Sequence, residues 1–198
     1  MTFKLSNTYI QIKFLFVALI TFLMFVDESG IFIFCYLSSL IHELGHIVAV
    51  YICGDKIDRI VFDIYGILIH KQENLSYSKQ LFILLLGPFV NIIIGFLFGF
   101  SKLSWAGFFA ASNMVLGIFN LLPISGLDGG EIVSIVLEYF LGDRISRVVS
   151  VLISVAMLLP MAFLCFYNFM EKKGNFSLVI VFVFLTVSLL RTQKAGGK

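Results

Sequence analysis

Six apolar stretches limit what this chain can fold into: Ile10–Val26, Ile31–Cys53, Gln80–Phe100, Trp105–Leu122, Ile145–Phe169 and Phe176–Leu190. About 20 mostly apolar residues are what a helix needs to cross the hydrocarbon core of a bilayer. The composition closes off a water-soluble alternative. Apolar residues are 60% of the chain and charged residues 13%, against roughly half and a quarter in soluble domains. Too little polar surface remains to coat a globule. The expected fold class is an all-α polytopic membrane protein with about six transmembrane helices, one integral membrane domain over residues 1–198. Lys13 can snorkel from the first stretch to the headgroups. Asp27 and Glu28, not small residues of a cleavage site, follow Val26, so this stretch reads as an uncleaved span.

Asp55 to Lys79 is the one sizeable polar stretch. Its segment RIVFDIYGILIH is rich in β-branched and aromatic residues, which predicts a small membrane-surface β-hairpin between the second and third spans, turning near Tyr65-Gly66. After the fourth span, LDGGEIVSIVLEYFLG predicts a turn and a short helix over Gly129–Leu141. Basic residues set the orientation. With the N-terminus cytoplasmic, only Lys102, Lys172 and Lys173 of the fourteen Lys and Arg fall outside. Both termini are then cytoplasmic. A net charge of +2 predicts no nucleic-acid partner. Cys35, Cys53 and Cys165 are odd in number and lie in apolar runs, which reads as free, buried thiols.

The second stretch carries a polar interruption, His42-Glu43-Leu44-Gly45-His46. On a helix, positions i and i+4 share a face with Cβ atoms about 5–6 Å apart, so both imidazoles can hold one Zn²⁺. Glu43 beside them can take a proton from water polarised by the metal and pass it to a leaving amine. As passive structure the motif is costly, at roughly 2.5–3.5 kcal/mol for each ionisable group in mid-bilayer. A catalytic zinc needs a third protein ligand. The candidates are His70 and Glu73 in the surface loop and Asp128 in the segment Asn120–Gly130, with Glu131 and Glu138 on the short helix beyond. Asp128 follows a helix broken at Pro123, and such a break survives at membrane depth only where protein or a cavity covers it. A purely structural role for Asp128 is a helix N-cap. His42 lies about 16 Å and His46 about 22 Å below the outer end of their span. That puts them on the cytoplasmic side, where the charge rule also puts Asp128. A transporter would place paired polar breaks in symmetric halves; the last two spans have no ionisable side chain in their apolar cores.

Together, HELGH and the downstream NLLPISGLDGG resemble the site-2 protease family of intramembrane metalloproteases. The compact form looks most like its sporulation-type (stage IV sporulation) branch, without that branch's C-terminal nucleotide-sensing domain. The likeness runs from Ile31 to about Leu141, a catalytic core of about 31–141. It implies Zn²⁺ as cofactor, His42, His46 and Asp128 as its ligands, and Glu43 as general base. Asn120 and Pro123 match an Asn-x-x-Pro element, in which the Asn120 amide would hold substrate or stabilise an oxyanion. Gly87 and Asn91 match a glycine-polar element of the third span; Asn91 would contact substrate or bond between helices. The segment Asp55–His70 would form strands near the site, where an extended substrate can add to an edge. The branch often has proline where this chain has Gly126. The implied activity is regulated proteolysis of membrane-embedded or membrane-tethered proteins, a transcription-factor precursor among them. The implied setting is a bacterial cell membrane, with a regulatory membrane protein as a further partner.

Overall fold

A computed structural model describes residues 2–5, 8–55, 57–63, 66–71, 75–170 and 176–195. They form two compact units, Met1–Phe119 and Asn120–Lys198.

The first unit combines a sheet with helices. Strands β1 (Thr2–Leu5), β2 (Thr8–Ile12), β3 (Ile57–Asp63) and β4 (Gly66–Lys71) lie side by side in that order. The predicted hairpin is β3–β4, antiparallel with Asp63 opposite Gly66. Its turn, residues 64 and 65, lies outside the described residues. The sheet is larger than expected. β1 and β2 form a second antiparallel hairpin, and β2 pairs parallel to β3 with Tyr9 opposite Arg59. Ile10 and Ile12 are therefore strand residues and not the start of a span. Their apolar character resembles helix from sequence, but the β-rich run Thr8-Tyr9-Ile10-Gln11-Ile12 pairs with β3 instead.

Helix α1 (Phe14–Val26) grows directly out of β2. The Lys13 amide donates to the Phe62 carbonyl at 3.1 Å, and the Phe16 and Phe62 rings lie 5.6 Å apart. No α1 residue is buried. Helix α2 (Ile31–Ile52) is entered through Asp27, whose carboxylate accepts the Ser29 amide at 3.1 Å and the Phe32 amide at 2.7 Å. At its far end the Lys79 ammonium donates to the Cys53 carbonyl at 2.8 Å, a cation at the negative end of the helix dipole. Ser38, His42, Gly45, His46, Ala49 and Val50 form one buried stripe at helical spacing, while Leu37, Leu44, Val48 and Tyr51 are exposed apolar residues. Helix α3 (Tyr77–Gly99) packs on that stripe. A Cβ at Gly45 would fall 2.9 Å from the Gly87 Cα, so the two backbones meet where no side chain intervenes. Helix α4 (Ala106–Asn120) buries Ala106, Phe109, Ala110, Asn113 and Gly117.

In the second unit, α5 (Asp128–Leu141) and α6 (Asp143–Met170) are joined through Gly142, and α7 (Phe176–Ala195) follows. The buried stripe of α6 is Ser146, Ser150, Ser154 and Leu158, one residue per turn. The Ser146 hydroxyl donates to the Ser134 carbonyl of α5 at 2.8 Å. Asp143 opens α6 and pairs with Arg147 at 2.8 Å.

Among the described residues, α2, α3 and α6 are long and apolar enough to cross a membrane. The other three predicted spans are shorter apolar helices: Phe14–Val26, Ala106–Asn120 and, within α7, Leu178–Leu190. α1 loses its first turn to β2. α4 stops two residues short of the predicted Leu122, since a residue before proline is pushed out of the helical region. The cysteines are free, as read, but not buried: Cys35 is exposed and Cys53 and Cys165 are half-buried. An apolar stretch facing lipid need not bury its thiols.

Candidate metal centre

His42 and His46 come together as one helical turn requires. Their rings are perpendicular, with centroids 4.7 Å apart, and both are buried. Their Nε2 atoms face each other at 3.1 Å. Two nitrogens at Zn–N distances of about 2.0–2.1 Å and a tetrahedral angle stand about 3.3 Å apart. The spacing therefore fits two ligands of one zinc.

The His46 Nδ1 lies 2.8 Å from the Ile83 carbonyl on α3. That carbonyl can only accept, so Nδ1 carries the proton and the Nε2 lone pair is left for a metal, the usual support of a ligating histidine. The Nε2 end of the same ring packs against Gly87. A Cβ there would overlap His46 Nε2, and any side chain at 87 would displace the imidazole. Glu43 is half-buried on the same helix between the two histidines.

Asn91 is fully buried, and its amide donates to the Ser38 carbonyl at 3.0 Å, one turn before His42. Its nitrogen thus lies in the interface between α2 and α3, where it fixes the height of α3 against the histidine helix.

Asp128 belongs to the second unit. It is half-buried in the first turn of α5, and the N-cap position is Leu127, so Asp128 is not the capping residue. A carboxylate there sits at the positive end of the helix dipole. Asn120 ends α4, and Pro123 is half-buried in the irregular segment 121–127. Ile124, Ser125 and Leu127 of that segment are buried. Gly126 has φ +98°, a conformation closed to proline, and a Cβ on it would overlap the Ser188 hydroxyl of α7. Glycine is thus what this turn needs, and proline would not fit it. Of the alternative ligands, Glu131 is exposed and Glu138 half-buried on α5. Glu73 and the His70 side chain lie outside the described residues.

Sequence reasoning missed the Ile83 carbonyl, since any backbone carbonyl looks alike in a sequence. It also missed Ser125 and Ser154, which bond to each other in the second unit. Their signal was present in the i, i+4 spacing of Ser146, Ser150 and Ser154 within an apolar helix.

Residues 99–164 match the family model described as peptidase family M50. This stretch takes in the Asn120–Gly130 segment. A zinc metalloprotease of Methanocaldococcus jannaschii is 30% identical, over 54% of this chain and 34% of the relative. Rip3 of Mycobacterium tuberculosis, whose name places it among zinc metalloproteases, is 29% identical over 54% of this chain and 31% of the relative. The chain spans about a third of the length of these curated relatives. Among solved structures, a site-2 protease from Methanocaldococcus jannaschii is similar in fold, with TM-score 0.70 and 25% identity over 97% of this chain and 94% of that one.

Proposed function

We propose that this chain is an intramembrane zinc endopeptidase of the site-2 protease type, cutting membrane-embedded or membrane-tethered proteins. The observation that carries this reading is the buried His42–His46 pair, its Nε2 atoms 3.1 Å apart with Glu43 between them on a helix long enough to span a membrane. The likeness in fold to a site-2 protease and the zinc metalloproteases among the relatives support it.

Two imidazoles and one carboxylate are the donor set of a catalytic zinc; His42 and His46 supply the imidazoles, and by its place in the NLLPISGLDGG motif Asp128 is taken as the carboxylate. Zinc, when bound, lowers the pKa of water towards about 7 and polarises a carbonyl. Glu43 accepts the proton from the attacking water and returns it to the leaving amine. The Ile83 carbonyl keeps His46 in the tautomer that can bind metal. The Asn120 amide holds the substrate backbone or the developing oxyanion, and Pro123 shapes the segment beyond it. Asn91 acts from behind, through the Ser38 carbonyl. Substrates carry weak helix formers near the cut, because a helical peptide has its amides bonded and its scissile carbonyl shielded.

The wider reading keeps six spans, both termini cytoplasmic, a bacterial cell membrane, a transcription-factor precursor as substrate class and a regulatory membrane protein as partner. Co-expression with single-span candidates tests the core. Wild type is expected to release a fragment, and Glu43→Gln to release none while still holding about one zinc per chain. Cleavage by Glu43→Gln would refute the mechanism.

A further inference from the structure

The irregular segment before Asp128 has backbone groups that no helix satisfies, and a helix break inside a membrane must find them partners. One partner is a single hydroxyl. The Ser125 amide donates to the Ser154 Oγ at 2.9 Å, and the two hydroxyl oxygens stand 3.0 Å apart. The Ser154 hydroxyl donates to the Ser150 carbonyl of its own helix at 2.8 Å. A serine hydroxyl has one proton to give and two lone pairs. With its proton on Ser150, Ser154 accepts from both the amide and the hydroxyl of Ser125, and its capacity is full. Ser154 is 1% exposed, so water does not compete for these bonds.

Ser125 stands three residues before Asp128. Between them the chain is fixed as well. The Leu127 amide donates to the Ile124 carbonyl at 3.0 Å, the Glu131 amide to the Leu127 carbonyl at 3.1 Å, and Gly126 packs against Ser188. Gly129 and Gly130 bring the first turn of α5 so close that a Cβ on either would overlap the carbonyls of Leu121, Leu122 or Ile124. The carboxylate thus rides on a short rigid stretch whose anchor is Ser154.

We propose that Ser154 is a positioning residue: by holding Ser125 it sets where the Asp128 carboxylate stands, and so how tightly the metal is held. This rests on the reading of Asp128 as a zinc ligand. Ser150, on the same buried stripe and one turn away, makes no such bond to the segment, so packing and positioning separate between the two serines.

Zinc affinity of the full chain, purified in detergent, is measured by competition with a chromophoric chelator. Ser154→Ala is expected to weaken zinc binding about tenfold or more, and Ser150→Ala to leave it unchanged. The pair Ser154→Thr and Ser154→Val keeps one shape and differs by a hydroxyl, so it remains decisive if the alanine variant fails to fold. Thr is expected to bind zinc like wild type and Val like the alanine variant. Equal affinity for Thr and Val, or equal loss in Ser154→Ala and Ser150→Ala, overturns the proposal. Asp128→Ala runs beside them. If it keeps wild-type affinity, the ligand assignment has failed; if it loses zinc while Ser154→Ala does not, only the positioning role has failed.

Discussion

A missing side chain is as important to the histidine pair as the two that are present. His46 is held by a carbonyl at Nδ1 and closely approached by the bare backbone of Gly87 at its Nε2 end. Gly87→Ala should therefore push the imidazole off its position and weaken zinc binding by about tenfold or more. Gly99→Ala, on the same helix with open space around it, should leave the affinity unchanged. Chelator competition on both variants checks this. The two imidazoles and Glu43 were legible in sequence because chemistry of that density in an apolar stretch is costly without a metal. Gly87 was visible as part of a motif, but its reason was not, since a glycine in a sequence does not say which ring it makes room for.

At the scale of elements, the entry to α2 depends on one carboxylate. The Ser29 hydroxyl, and after it the Phe32 amide, hold the Asp27 carboxyl below its ordinary value. A lowered folded pKa means that the capping contribution is complete above about pH 4, the unfolded carboxylate value, and is lost as pH falls through the lower folded value. Hydrogen exchange at the Phe32 amide, corrected for its intrinsic rate, should accelerate below about pH 4. Asp27→Ala should exchange fast at every pH. Long elements were well read: α2 begins at the expected Ile31, and α5 begins one residue before the expected Gly129. The misreadings fell where apolar residues serve a strand, as Ile10 and Ile12 do, or where a helix stops before its apolar run ends, as α4 does. Hydropathy reports burial preference and is blind to hydrogen-bond partners several dozen residues away, such as Arg59 opposite Tyr9.

For the whole molecule, the distribution of Lys and Arg is the property that reaches beyond any single element. Reporter fusions should place both the N-terminus and the C-terminus in the cytoplasm, and a fusion at Lys102 outside. A C-terminal reporter active only outside would remove the even number of spans on which the orientation rests. A mostly helical fold with membrane-length helices was available from composition and run length alone, because lipid leaves few choices of backbone. The larger sheet was not, because strand pairing is a long-range property that periodicity does not encode.

Helix α1 buries no residue, yet its first turn is fastened to the sheet through Lys13 and Phe16. Sheet and apolar helix therefore meet at two residues, and what α1 gains from the sheet is a fixed starting point beside Phe62. Removing β2 would take away the strand that Lys13 continues, leaving α1 its apolar surface but not that starting point.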